Sequence, residues 1–536
     1  MVSPLFLRPS SPNAGLKRYG PSGPSRRVTV EETANLEEWF SSFRKGIIGI
    51  DTRIDTPRGS RPLVYADWIA SGRLYGPIED RIRNEIGPLV GNTHSESSTT
   101  GRAMTAAYRE AHSILKRHVN AGPEDVIITA GAGMTAVVNK LQRILGIRYP
   151  ERFRDLSRGL PERHAGGACD DECPVVFVTH MEHHSNHISW LETEAEVVVL
   201  PPDDKLEVDP AALERELERY ARRPLKIGAF SACSNVTGLF PPYRELARIM
   251  HRHGGLAFVD FAASAPYVPM DMHPANDPLG YLDGVFFSPH KFLGGPGSSG
   301  VMVFNSGIYH NLVPDNPGGG TVTWTNRWGE RSYVTDIEAR EDGGTPGFLQ
   351  AIRAALAVRL KEEMDPARIK AREEELVGRA MKEMRTIPGL HILADNDKPR
   401  IGVISFYMEG LHHNLLVRLL NDYYGIQSRG GCSCAGTYGH FLLHVSRELS
   451  RTITREIDSG NLSHKPGWVR ISLHPTMTDA ELDYLLGALR ELRSNYEEWG
   501  AGYRFDRTSG EYYALEDPDG AVKTESALNL AGFPLL

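Results

Sequence analysis

Seven short apolar runs recur through the middle of the chain, at Val126 to Thr129, Pro174 to Thr179, Ala195 to Leu200, Leu225 to Phe230, Leu256 to Asp260, Gly284 to Phe287 and Gly300 to Phe304. They read as buried strands. Helical patterns such as Thr135 to Leu145 and Tyr243 to His253 lie between several of them. Strand alternating with helix over such a span predicts an α/β domain with a mainly parallel central sheet and helices on both faces. Ligands of such sheets bind beyond the carboxyl ends of the strands, so the residues that follow each strand are the candidates for function.

The chain has 536 residues, too many for one compact core. The expected organisation is a large domain over 75-335 and a smaller α+β lobe formed by 46-74 and 336-499. Glu338 to Gly347 reads as the crossing between lobes, followed by a helix from Phe348 to Lys361. Two further helical patterns, Leu415 to Tyr424 and Asp479 to Tyr496, flank the smaller lobe. Glu151 to Cys173 and Ser446 to Gly467 read as insertions, the second a candidate lid. Residues 1-45 are expected to be a disordered or targeting extension, because Arg8, Lys17, Arg18, Arg26 and Arg27 come before the first acid, Glu31. Residues 500-536 show no period and read as a tail.

Composition removes several function classes. With 60 basic against 68 acidic residues and a net charge of -8, the chain lacks the electrostatic footprint of a nucleic-acid binder. No apolar run approaches the ~20 residues that cross a bilayer. Five cysteines argue against a disulfide framework and for a reducing, cytoplasmic setting, with organellar import the alternative that the basic start allows.

The chemistry concentrates where Phe286-Phe287-Ser288-Pro289-His290-Lys291 runs into Gly294-Gly295-Pro296-Gly297. This delivers a lysine from a strand end into a glycine-rich loop. A second strand, Gly255 to Val259, ends in Asp260. Lysine and carboxylate on neighbouring strand ends suit a Schiff base with an aldehyde cofactor, pyridoxal phosphate. Gly295 to Gly300 also fits the spacing G-x-G-x-x-G, but a strand follows it rather than a helix, so it is no dinucleotide loop. His180, His183, His184 and His187 lack a helical H-E-x-x-H and any obvious carboxylate or thiolate companions, so no metal is expected.

Six ordered motifs spread over Tyr65 to Leu492 resemble the fold-type I pyridoxal phosphate enzymes of the class V aminotransferase superfamily, and within it the Suf-type cysteine desulfurases and selenocysteine lyases. They are Ala130 to Thr135, Met181 to Asn186, Ser231 to Gly238, Asp260, Ser288 to Lys291, and Ser428 to Gly436. The resemblance implies that Met134, Thr135, Ser288 and His290 hold the cofactor phosphate. It places His183 on the pyridine ring as a stacking and proton-transfer group, Asn235 on the phenolic oxygen, and Asp260 on the ring nitrogen. Lys291 forms the Schiff base and then moves protons. Thr345, in Gly343-Gly344-Thr345-Pro346, would reach the cofactor of a second subunit in a homodimer. Arg470, in Trp468 to Leu473, grips the substrate carboxylate, and Arg429, five residues before the nucleophile position held by Cys434, is a second substrate-binding residue. Cys432 stands two residues before that thiol and is equally able to carry or resolve a persulfide.

The implied reaction converts L-cysteine to L-alanine, with sulfur passed to Cys434 as a persulfide and then to an acceptor protein. The alternative is a transaminase, epimerase or β-lyase acting on another amino acid; a non-catalytic scaffold is the remaining class. One departure stands out: relatives place glutamine three residues after the aspartate, where this chain has Ala263 followed by Ser264.

Overall fold

The computed structural model describes residues 35–93, 95–153 and 173–516. Its centre is a seven-stranded sheet of β1 (Asp125–Ala130), β2 (Val175–Thr179), β3 (Glu196–Leu200), β4 (Lys226–Ser231), β5 (Leu256–Asp260), β6 (Gly284–Phe287) and β7 (Gly300–Asn305). The spatial order is β1-β7-β6-β5-β4-β2-β3. β7 runs antiparallel to both neighbours, and the pairs from β6 to β3 are all parallel. The mainly parallel α/β sheet expected from the alternating runs is therefore present.

Strands buried on both faces need apolar residues at every position, and β2 shows why its sequence is a continuous apolar run. Val175 and Phe177 join one core with Leu115 and Phe230, while Val176 and Val178 join the opposite one with Val137 and Trp190. Each such side chain, fully buried, contributes roughly 1.5–3 kcal/mol. Gly300 is required where β7 passes under the loop after β1: a Cβ there would lie 2.1 Å from the Gly133 carbonyl oxygen.

A second, antiparallel sheet combines β8 (Leu390–Ile392), β9 (Val403–Met408), β10 (Arg429–Gly431) and β11 (Trp468–Ser472) in the order β8-β9-β11-β10. The helices Pro366–Met384, His413–Tyr424 and Asp479–Gly500 cover it through Leu376, Leu416, Leu419 and Leu482. Val64 and Tyr65 pair in parallel with Ile426 and Gln427, which ties the early segment to this lobe. The helix Phe348–Met364 packs Ala354, Ala355 and Val358 into the core that holds Ala111 and Leu115.

Outside these two bodies, the described end of the first 45 residues is a helix, Leu36–Lys45, capped by Asn35. Phe40 is buried beside Trp68 and Ile69, and Arg44 forms a two-pronged pair with Glu481. Most of the insertion at Glu151 to Cys173 lies outside the described residues. The insertion at Ser446 to Gly467 forms the helix Arg447–Asp458, none of whose residues is buried. Of the tail, Tyr503–Phe505 and Tyr512–Ala514 pair as a hairpin, and residues 517–536 lie outside the description. Among the described residues no helix is long and apolar enough to cross a membrane.

Candidate active site

The strand ends and the second lobe enclose a cavity of about 1030 Å³, and of the predicted site residues it is lined by Met134, Thr135, His183, Asn235, Asp260, Ser288, His290, Lys291, Arg429, Cys434 and Arg470. These residues come from positions over 300 apart in sequence, and the fold brings them to one place. Thr345 is the exception: it is exposed outside the cavity, with its hydroxyl 3.4 Å from Asn92 Oδ1.

One end of the cavity is shaped for an anion. β1 ends at Ala130, Gly131 turns at φ +56°, and the helix Met134–Ile144 starts without a side-chain cap. Its first residues, Met134 and Thr135, line the cavity at the positive end of the helix dipole. Met134 N–H donates to Ser288 Oγ at 2.9 Å, and Thr135 Oγ1 lies 2.7 Å from Ser185 Oγ. A Cβ on Gly133 would sit 3.2 Å from Ser288 Oγ and 3.4 Å from His290 Nε2, so a side chain would fill the cup. Burial, helped by the Lys291 charge, pushes His290 down to about 4, which leaves it neutral.

Deeper in, Asp260 is buried at the end of β5. Burial raises its pKa to about 6, opposed by the Ala262 N–H, which donates to Oδ1 at 2.8 Å, and by the charge of Lys291. Lys291 follows β6 through a short 3-10 turn, Pro289–Lys291. Burial pushes its pKa down to about 8, although Asp260 works in the opposite direction. His183 caps the helix His184–Leu191 by accepting from Ser185 N–H on Nδ1 at 3.1 Å, so its proton sits on Nε2. Burial and Lys291 hold its pKa near 3. The other three histidines serve separate partners: His180 meets the Leu206 carbonyl, His184 accepts from Gly436 N–H, and His187 meets Thr437.

The facing wall belongs to the second lobe. Arg470 is buried, donates to the Asn235 carbonyl at 3.1 Å and pairs with Asp67 at 3.0 Å. Arg429 grips the other oxygen of the same carboxylate, at 2.9 Å from Nε. Cys434 is an exposed free thiol, and Lys291, Arg429 and Arg470 are all within electrostatic reach of it. Cys432 and Cys233 are also free and also line the cavity, whereas Cys173 is disulfide-bonded.

Two functional neighbours escape the sequence reading. Asp67, in Ala66-Asp67-Trp68, ties both arginines together. Glu182 is buried and accepts from Thr179 Oγ1 at 2.7 Å, Ser231 Oγ at 2.6 Å and Asn186 Nδ2 at 2.8 Å, clamping the ends of β2 and β4 beneath His183. An acid inside Met181-Glu182-His183-His184 reads as one polar residue among several; a carboxylate directly after a buried strand is the signal that would have singled it out. Ala263 is buried beside Trp68 and Cys233 and presents no polar atom to the cavity, while the Ser264 hydroxyl is buried without a hydrogen-bond partner.

The family model of aminotransferase class V matches residues 171–485. The chain belongs to this family. Membership makes it a pyridoxal phosphate-dependent enzyme with the fold-type I architecture. The apo structure of a cysteine desulfurase from Thermococcus onnurineus NA1 superposes with a TM-score of 0.65, at 21% identity over 85% of this chain and 98% of that one. The cysteine desulfurase CsdA from Escherichia coli, an S-sulfonic acid form, gives 0.62, at 22% identity over 84% and 98%. In sequence, a probable cysteine desulfurase from Halalkalibacterium halodurans is 28% identical over 387 residues, 71% of this chain and 86% of the relative. A second, from Mycobacterium leprae, is 26% identical over 409 residues, 75% and 90% respectively.

This class-V cavity fits the family cofactor on its own features. The Gly133 cup at the helix start, rimmed by Ser288 and His290, suits a phosphate, and the buried Asp260 carboxylate suits a pyridinium nitrogen. Asn235 Oδ1 and Arg470 Nε are buried without protein partners, polar atoms that a ligand would satisfy.

Proposed function

We propose that this enzyme is a cysteine desulfurase, taking L-cysteine to L-alanine and receiving the sulfur on Cys434. The observation that carries the reading is the exposed Cys434 thiol lining the same cavity as Lys291, within reach of three cationic side chains. The names of the sequence relatives support the same substrate.

Bound in the cavity, pyridoxal phosphate supplies the electron sink that weakens the Cα–H and Cβ–S bonds of an amino acid. The rest falls to the chain. Met134, Thr135, Ser288 and His290 hold the phosphate, Asn235 the phenolic oxygen, Asp260 the ring nitrogen, and His183 the ring face. Lys291 carries the cofactor covalently. Once freed by substrate, its amine, whose pKa burial lowers to about 8, takes the Cα proton. Arg470 orients the substrate carboxylate by paired hydrogen bonds, with Arg429 beside it. Cys434 then attacks the substrate sulfur and keeps it as a persulfide for an acceptor protein. The working unit is a homodimer in which Thr345 reaches the partner's cofactor, as its exposed position outside its own cavity allows.

A second reading, a transaminase, epimerase or β-lyase for another amino acid, draws on Ala263, which leaves the phenolic oxygen with Asn235 as its side-chain donor. Incubation of the loaded enzyme with L-cysteine separates the two. Alanine formation that disappears in Cys434→Ala, while the bound cofactor colour remains, supports the desulfurase. Intact colour with no alanine sinks it in favour of the second reading.

A further inference from the structure

The thiol wall holds a second free cysteine in the cavity, and the backbone between the two is folded back on itself. Ala435 N–H donates to the Cys432 carbonyl at 3.1 Å, closing a four-residue turn. Its two central residues, Ser433 and Cys434, have φ of +51° and +56°. Positive φ at both centres marks a type I′ turn, which favours asparagine and glycine. Serine and cysteine in such a conformation cost about 1–3 kcal/mol each and persist only where the surroundings impose it.

The surroundings do impose it. Asn235 Nδ2 donates to the Ser433 carbonyl at 2.7 Å. His184 N–H donates to the Cys434 carbonyl at 2.8 Å, and Gly436 N–H donates to His184 Nε2 at 2.9 Å. Two hydrogen bonds donated to the turn and one from Gly436 back to His184 thus hold a strained turn whose first and third residues are both cysteines. Two Cα–Cα steps of about 3.8 Å cap the Cys432–Cys434 separation at roughly 7.6 Å, and the fold-back at Ser433 shortens it toward the roughly 4.4–6.8 Å that a disulfide spans. Cys434 is exposed, and Cys432 is partly buried against the large-lobe core while still lining the cavity.

We propose that Cys432 is the resolving thiol for a persulfide on Cys434, so that the enzyme releases sulfide and is restored by a dithiol reductant. The proposal rests on the desulfurase reading above. In the step, the Cys432 thiolate attacks Cys434 Sγ. The Sγ–Sγ bond forms, the bond from Cys434 Sγ to the transferred sulfur breaks, and that sulfur leaves as hydrosulfide. The transferred sulfur is reduced as the two cysteine thiols are oxidised to a disulfide. A dithiol of the thioredoxin or dithiothreitol class then exchanges with the disulfide, returning both thiols and leaving as its own cyclic disulfide. With an acceptor protein present, direct transfer from Cys434 competes with this step.

The test is a single turnover. The loaded, pre-reduced enzyme, freed of reductant, receives one equivalent of L-cysteine. Alanine and sulfide are quantified, and the peptide containing both cysteines is read by mass spectrometry. The expected result is alanine and sulfide in equal amounts, a Cys432–Cys434 disulfide, and renewed turnover on addition of dithiothreitol. Cys432→Ser should still form alanine, lose sulfide release, and retain one added sulfur on Cys434. Wild-type enzyme that forms alanine but keeps the added sulfur, with no disulfide, overturns the proposal and leaves the desulfurase reading standing. Wild-type enzyme that forms no alanine removes the persulfide itself and overturns both.

Discussion

On one side of the cavity, Asp260 ends β5 and Lys291 follows β6, strands that are buried almost throughout. On the other side, Cys434 sits in a turn with two residues at positive φ, and Arg429 and Arg470 hang on one shared carboxylate, Asp67. The first wall is rigid because a close-packed sheet has no alternative arrangement. The second is held by ion pairs within the smaller lobe and by a few hydrogen bonds that cross to the large one from Asn235 and His184. Covalent capture and proton removal need a fixed amine, whereas sulfur transfer needs a thiol that meets first the substrate and then an acceptor or reductant. The two constructions match those two demands.

The largest expected effect breaks the lysine wall. Lys291→Ala should lose the yellow colour of the loaded enzyme and about 10²–10⁴-fold in turnover, the range for loss of a positioned proton-transfer group. Absorbance spectra and alanine formation check it, and a coloured, active variant would show that another lysine does the work.

Next comes the thiol wall. Asp67→Asn leaves the buried Arg470 without its counter-charge, a change that typically costs about 3–5 kcal/mol. The urea midpoint should fall, and KM for the amino acid should rise more than kcat falls. Unchanged stability and KM would mean that the Asp67 pairs are idle.

A pH profile sharpens the contrast. Only a neutral amine attacks an aldehyde, and burial holds Lys291 near 8. The rate at which apoenzyme takes up pyridoxal phosphate should therefore climb about tenfold per pH unit below 8 and level off above it. Because Asp260 raises that pKa, Asp260→Asn should move the profile to lower pH. A profile still rising through pH 9 to 10 would indicate an ordinary, unburied lysine.

The smallest effect lies at the join between the walls. Asn235→Ala removes the donor to the Ser433 carbonyl, worth about 1 kcal/mol. Release of sulfur should slow a few-fold relative to formation of alanine, a ratio read in one assay. Equal slowing of both would assign Asn235 to the cofactor alone.

Legibility in the sequence followed the same division. The seven strands fell within a residue or so of their expected ends, because a strand buried on both faces is written as an uninterrupted apolar run. Asp260 was legible as the polar end of one run, and Lys291 and His183 as residues just beyond two others. The helix Leu36–Lys45 was not, since its anchors, Trp68, Ile69 and Glu481, lie far along the chain. The hairpin at 503–514 was hidden for a related reason: its strands are three residues each, too short to show a period. Asp67 was invisible as a site residue, because an acid near the start of a chain declares nothing until two arginines some 360 and 400 residues later close on it. The αL turn at Ser433 and Cys434 was equally silent, as neither residue type signals positive φ.

The most direct test of the account is borohydride reduction of the loaded enzyme followed by peptide mass spectrometry. Reduction fixes the cofactor to whichever amine carries it. The account predicts a pyridoxyl mark on the peptide containing Lys291 and on no other, in wild type and in Cys434→Ala alike. A mark on another lysine of the cavity, such as Lys465, or none on a fully loaded protein, would contradict it.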